Sequence, residues 1–373
     1  MLKINRRDAV MVVVLMVACF FVARLDIFPR KDPEPGRKER ARVLTVDDSG
    51  LMTIGLLQQG SQVLEVELLS GKMKGKTFRA VNQLRSQMEL DKLFQVGDTV
   101  LVAVLDDADP KTSTLNAQDH YRVDKTFLLF GLFALLLLCF GGVTGFNALL
   151  SFVFTCLVVW KLVIPLCLMG WSAIFVCFTA VVFLCAIIIF LVAGLTRKGT
   201  TAFCGAIAGV LASSVLAYIF VYQFKINGAV MPYSQALIYS GYEFLSLSDI
   251  YIGAIFLSSS GAVMDLAMDV AAGMQEVIEK RPELPRKELM LSGFRIGRAV
   301  VGTMTTTLLL AYTGGYMTLL MTFAAQGTGP VDFINNPYIA SETVKTLIGS
   351  FGLVLVAPLT AVIGTFVLKG VKE

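Results

Sequence analysis

The stretch Trp171-Ser172-Ala173-Ile174-Phe175-Val176-Cys177-Phe178-Thr179-Ala180-Val181-Val182-Phe183-Leu184-Cys185-Ala186-Ile187-Ile188-Ile189-Phe190-Leu191-Val192-Ala193-Gly194 carries no charged side chain over 24 residues. About 20 such residues in a helix cross the roughly 30 Å hydrocarbon core of a bilayer, and a spanning segment must satisfy its backbone hydrogen bonds internally. The fold class that follows is a polytopic α-helical membrane protein. Working outward, the same test picks out residues 9–23, 127–146, 148–168, 201–224, 250–271, 299–325 and 344–368, giving eight predicted transmembrane helices. The first is the shortest. It follows Lys3, Arg6 and Arg7, and Val22-Ala23-Arg24 is a poor cleavage site, so it reads as a retained anchor rather than a removed signal peptide.

Composition agrees: 55% of the 373 residues are hydrophobic and 16% charged, against about 45–50% and 25% in soluble domains. Half of the 32 Lys and Arg, and more than half of the 28 Asp and Glu, fall between Arg24 and Lys125. The chain therefore divides into an anchor (1–23), a polar segment (24–125) and a seven-helix transmembrane domain (126–373). Basic residues mark the N-terminal tail, the Arg197-Lys198 turn, the 280–298 loop and Lys369/Lys372, whereas 326–343 has no Lys or Arg. By the positive-inside rule both termini are cytoplasmic and 24–125 is extracytoplasmic, in a cell (plasma) membrane. Lys161 is the basic residue expected well inside a span, snorkelling toward the outer side. The net charge of +4, with no basic stripe among aromatics, excludes a nucleic-acid partner.

The single histidine, His120, lies in the polar segment, which leaves the apolar part without a Ser/His/Asp triad or an HExxH zinc helix. The seven cysteines sit in apolar runs with no CxxC pair and read as small buried hydrophobes. No metal, no cofactor and no P-loop are expected. In the polar segment a Pro-rich linker (28–36) precedes strand signals at 42–46, 51–57, 63–69, 77–81 and 99–105, with a helical or irregular insert at 82–94. Five short strands suit a small β-rich barrel of the OB type. It is either a cap or a module that binds an envelope protein or wall component.

Charges at membrane depth are the strongest pointers to function, because desolvating them requires a compensating role. Asp265 and Asp269 are spaced i, i+4, so they share one helical face, with Ser258 and Glu276 near the same stripe. The next span rises through Arg295, Arg298, Gly302, Thr303, Thr305, Thr306 and Thr307, which puts its threonines at the depth of the two aspartates. Carboxylates and hydroxyls suit a hard cation or a proton relay. Thr303, Thr306 and Thr307 are thus candidate oxygen ligands beside Asp265, Asp269 and Ser258. The bland alternatives are a cytoplasmic helix extension for the acids and i−4 back-bonding for the threonines. Arg295 and Arg298 are either charge partners of Asp269 and Glu276 or membrane-interface anchors. Gly205-Ala206-Ile207-Ala208-Gly209 and Gly349, Gly352 and Gly364 mark close helix packing, with a kink expected at Pro358.

Gly261-Ala262-Val263-Met264-Asp265-Leu266-Ala267-Met268-Asp269, Glu276, Leu284-Pro285-Arg286-Lys287-Glu288-Leu289, Ser292-Gly293, Gly297-Arg298 and Gly302-Thr303-Met304-Thr305-Thr306-Thr307 together resemble the YibE/F-like family of bacterial multi-pass membrane proteins. The exported segment with Leu69-Ser70-Gly71-Lys72-Met73-Lys74-Gly75-Lys76 fits its layout. Asp269 departs from the family pattern, in which serine is common there, and Thr305-Thr306-Thr307 stands where Thr-Asn-Thr is commoner. The resemblance implies topology and draws attention to Asp265, but it brings no substrate. The expected function is a transporter or channel-like protein for a small ion or solute. The alternative is a non-transporting scaffold or envelope-stress component whose barrel binds a partner. Two aspartates one turn apart on a single helix do not make the facing pair of an aspartyl intramembrane protease, so the chain is read as a non-enzyme. The lipid bilayer is its first partner, and homo-oligomers are compatible with the pattern.

Overall fold

The computed structural model describes residues 6–28, 36–88, 90–105, 109–110 and 112–369. Most of the expected Pro-rich linker and part of both basic tails lie outside the described residues. The chain forms two compact units, residues 30–137 and residues 1–29 with 138–373.

The first unit is built on β1 (Arg37–Asp47), β2 (Leu51–Ile54), β3 (Leu57–Leu68), β4 (Thr77–Arg85), β5 (Thr99–Val104) and β6 (Thr114–His120). β1 pairs antiparallel with both β3 and β5, Ala41 lying opposite Leu68 on one side and Val100 on the other, and this double pairing closes a ring. The ring runs β1-β3-β4-β6-β5-β1, with β4 and β6 parallel and every other pair antiparallel. That is the connectivity of an OB-type barrel, in agreement with the expected class. A register shift between Val43 and Thr45 bends β1, as a strand shared by two neighbours requires.

Alternate residues point inward, including Val43, Leu64, Val66, Phe78, Val100, Val102 and Leu115, with Phe94 plugging the interior from the following loop. Two expectations need correction. Residues 51–57 are not one strand: Gly55, at φ +64°, makes the turn between β2 and β3, and β2 pairs with β3 alone. The fifth ring strand is β6, where only Leu115 and Ala117 alternate among polar neighbours, a pattern too weak to read in advance.

The barrel also buries a polar network. Gln62 Nε2 donates to Asp48 Oδ1 (2.8 Å) and Phe94 O (3.0 Å), and Gln62 Oε1 accepts from Phe94 N (3.0 Å) and Asn82 Nδ2 (3.2 Å). Asn82 Nδ2 also donates to Lys92 O at 2.6 Å. These bonds pin the irregular 86–98 loop across the barrel.

The helical elements are α1 (Arg6–Arg24), α2 (Val123–Val158), a π-helical turn (Val159–Val163), α3 (Ile164–Leu168), α4 (Ala173–Ala193), α5 (Arg197–Gln223), α6 (Ser234–Tyr239), α7 (Leu247–Lys280), α8 (Arg286–Gly315), α9 (Met317–Ala325), α10 (Pro330–Asn335) and α11 (Pro337–Lys369). Five runs are long and apolar enough to cross a membrane: 123–168, 173–193, 197–223, 247–280 and 337–369. α8 and α9, bent by 67°, make a sixth if counted as one span. The expected spans 127–146 and 148–168 fall in one helical run, interrupted at Gly142 by φ +52° and ψ −122°. α1 contributes only a shorter apolar helix among the described residues.

Three of these helices differ in extent from expectation for identifiable reasons. Ser246 caps α7 by accepting from Asp249 N, and the helix continues past residue 271 to Lys280, about 50 Å in all. α11 begins at Pro337, since Asn336 Oδ1 accepts from Tyr338 N and proline suits the first helical position. The expected span 299–325 breaks at Tyr316.

Small residues set the bundle's crossings. A methyl group at Gly209 would lie 2.8 Å from Cβ of Val356, and one at Gly297 would lie 2.6 Å from Cβ of Ala357, so α5 and α8 both approach the backbone of α11 closely. The expected Gly205–Gly209 face is therefore the α5–α11 contact. Cys177 and Cys185 are buried as expected, whereas Cys139 and Cys156 are exposed on apolar surfaces; all seven are free thiols.

Candidate functional site

Along α7 the residues not covered by the bundle follow helical spacing: Ser258, Gly261, Asp265, Asp269, Ala272 and Glu276 are all exposed. The opposite side, with Phe256, Val263, Leu266, Val270 and Met274, is buried. Asp265 and Asp269 thus share a face, and that face looks out of the bundle.

Contacts fix the level of α8 against α7. Gly293 meets Met274, Gly297 meets Val270, and Tyr312 Oη is 3.4 Å from Ser258 Oγ. This antiparallel register puts Asp265 at the height of residues 302–305, so the acid and hydroxyl levels coincide. The hydroxyls are engaged within their own helix. Thr303 donates to Val300 O (3.0 Å), Thr305 to Val301 O (2.8 Å), Thr306 to Gly302 O (3.3 Å) and Thr307 to Thr303 O (3.1 Å). Their oxygens keep acceptor capacity, and Thr303, Thr306 and Thr307 are exposed. Neither Gly261 nor Gly302 would bring a methyl group within 4 Å of another residue, so both stretches present open small-residue surface.

The expected cytoplasmic charge pairs take a different form. Glu276 pairs with Lys280 on its own helix at 3.0 Å, because i, i+4 is the shorter reach. Arg295 and Arg298 are exposed on α8, and among the described residues neither is in an ion pair with Asp269 or Glu276. Lys161 lies in the π-helical turn with its ammonium 5.8 Å from the Phe28 ring centroid. Among the described residues no three His, Cys, Asp or Glu converge as a metal site would require.

A second polar cluster escaped the sequence reading. Glu342, in the expected 326–343 loop, and Lys345, in the expected 344–368 span, both lie inside α11 because the helix begins at Pro337. Their side chains are 14% and 26% exposed and 3.7 Å apart. The Lys345 ammonium lies 5.2 Å from the Tyr312 ring centroid and 6.0 Å from that of Tyr316. Tyr251 Oη donates to Ser341 O at 2.5 Å. The Asn336-Pro337 helix start followed by Glu342-x-x-Lys345 was the available signal. Ser258 and Tyr312 join this cluster to the Asp265 stripe.

Comparison with known proteins returns no curated protein and no solved structure that matches the chain. The YibE/F family N-terminal domain matches residues 41–119, the barrel, and the YibE/F-like protein family matches residues 129–370, the helical part. With most of its length covered by these two matches, the chain belongs to the YibE/F-like family.

Proposed function

We propose that this chain is a transporter or channel-like protein of the bacterial cytoplasmic membrane for a small ion or solute, with Asp265 as its central ion- or proton-binding group. Both termini are cytoplasmic in this reading, and residues 24–125 are extracytoplasmic. The orientation is supported by the basic 280–298 loop and Arg197-Lys198 turn set against a 326–343 loop free of Lys and Arg. One observation carries the function: an uncovered stripe holds Asp265 at the depth of Thr303 on the neighbouring helix. A carboxylate at that depth is not stable against hydrocarbon, so the stripe faces a water path or a second copy of the chain. Asp269 and Ser258 extend the same line toward its two ends, and Thr303, Thr306 and Thr307 supply acceptor oxygens.

Reconstitution into proteoliposomes tests this. Asp265→Asn should cut proton, sodium or potassium flux by about tenfold or more, with unchanged gel-filtration behaviour. Flux equal to the wild type would remove Asp265 from the mechanism.

The second reading, a scaffold whose exported barrel binds an envelope protein or wall component, is favoured by the β2–β3 tip. Met52, Ile54 and Leu56 there are 72%, 64% and 90% exposed. Such an apolar tip on a barrel in water fits a partner surface. In that reading Leu56→Ser abolishes partner capture and Asp265→Asn is silent.

A further inference from the structure

The outward sides of α7 and α8 carry opposite charges at matching levels. Gly297 lies against Val270 and Gly293 against Met274, an antiparallel register that sets Arg298 level with Asp269 and Arg295 within one turn of it. Asp265, Asp269, Arg295 and Arg298 are exposed, and among the described residues none of the four is in an ion pair. The packing of the two helices keeps them apart. Ile296 of α8 meets Gly273 of α7, and Arg298, two residues on, is turned about 200° around the helix from that contact. Asp269 and Arg298 therefore share a level without facing each other.

We propose that this surface is the seam between two copies of the chain related by a two-fold axis along the membrane normal, with Asp269 of each copy paired to Arg298 of the partner subunit. Such an axis leaves every residue at its own depth, so groups that are level within one chain are level across the seam, and each contact is made twice. α7 of one copy runs antiparallel to α8 of the other, as the two helices do within a chain. Gly261 and Gly302, where an added methyl group would meet nothing within 4 Å, leave room for close approach. The charges select the occupant. Lipid tails would leave Asp265 against hydrocarbon. An anionic headgroup would suit the arginines but meet the Asp269 carboxylate at the same level. A second copy carries both signs at the required depth. With Asp269 neutralised across the seam, Asp265, one turn along, is the carboxylate left unpaired, so the partner completes the proposed site. The inference rests on that reading for the role of the stripe, but association is read without flux, so either can fail alone.

Capture between differently tagged full-length copies, co-expressed and extracted in polymer nanodiscs, tests it. Wild-type copies should capture each other. Asp269→Arg sets an arginine against Arg298 twice in its own dimer, and Arg298→Asp sets an aspartate against Asp269 twice, so each variant should lose self-capture by about tenfold or more. A mixed pair of the two variants has opposite charges at both contacts and should capture as the wild type does. A pairing confined to one chain could not be rescued in this way. Gly261→Trp has room in a single copy and alters no charge; it should block self-capture to the same extent, which keeps the test decisive if a charge variant fails to fold. Three results would overturn the proposal: no capture between wild-type copies; wild-type self-capture by both charge variants or by Gly261→Trp; or, from charge variants that run as folded protein on gel filtration, a mixed pair that captures no better than either variant alone.

Discussion

The barrel buries side-chain amides, whereas the helical bundle buries small hydroxyls such as Thr201, Ser213 and Thr360. Inside the barrel, beside Val43, Leu64, Phe78 and Val102, lie Gln62 and Asn82, 1% and 4% exposed, with both polar atoms of the Gln62 side chain and Nδ2 of Asn82 hydrogen-bonded. The bundle's crossings are made by glycines and small side chains, while Asp265, Asp269, Arg295 and Arg298 all face outward. In water, a buried polar group that keeps all its bonds can fix the position of a loop. In a membrane the apolar surroundings give helices little reason to bury more apolar surface, so close backbone approach holds the bundle and exposed charge marks function. The same contrast runs within the helical part. The 18-residue apolar window of the 123–168 run has no buried residue, whereas 61% of that of α7 is buried. The first is apolar on every side and reads as lipid-facing; the second has one covered side and one polar side.

The largest effect that would sharpen this contrast lies at a crossing. Gly297→Leu should cost about 3 kcal/mol, since its side chain meets Ala357 on α11. Phe140→Ala, at a residue 98% exposed, should stay within about 0.5 kcal/mol. SDS-unfolding in mixed micelles measures both, and comparable losses would break the distinction between crossing and lipid face.

In the barrel, Gln62→Leu orphans Phe94 N–H and one Asn82 bond, and should cost about 2 kcal/mol. Hydrogen exchange of residues 86–98 in the full-length protein should rise accordingly, while exchange in α5 and α7 stays level. At the helix break, Gly142→Ala forces a side chain into φ +52°, ψ −122° and should cost about 1 kcal/mol. An unchanged unfolding midpoint would mean that the break relaxes.

The smallest effect concerns acid. Asp91 accepts from Arg85 N and Gln87 N, and the Arg85 bond holds its carboxyl below the ordinary value. A lowered folded-state pKa contributes stability that is present above about pH 4 and lost as pH falls through the folded value. Protection of the 86–98 loop, corrected for intrinsic exchange, should therefore hold from neutral pH down to about pH 4 and decline below it. Asp91→Asn should lower that plateau and flatten the decline.

How far each part could be read in advance follows from the range of the interactions involved. Hydropathy located the helical segments, and alternation located β1, β3, β4 and β5, because both patterns repeat within a few residues. β6 was missed because its ring position depends on parallel pairing with β4, a contact between residues far apart in sequence. At the candidate site, the i, i+4 spacing placed Asp265 and Asp269 on one face, but only packing determined that this face is uncovered. Glu342 and Lys345 fall on either side of the expected boundary between the 326–343 loop and the 344–368 span, and nothing local marks them as a cluster, because their cover comes from α8, which breaks at Tyr316 and brings Tyr312 and Tyr316 over α11.

The sequence by itself determined the membrane class, the polar β-rich insertion, the family likeness and the pairing of Asp265 with Asp269, since composition and short-period spacing are properties of the chain alone. The tertiary structure alone decided which glycines are crossings, that the threonine hydroxyls bond to their own helix, and that Glu342 and Lys345 pack beneath Tyr312 and Tyr316 at the end of α8. Each of these depends on which distant backbone comes within a few ångströms, and neither composition nor short-range periodicity encodes that approach.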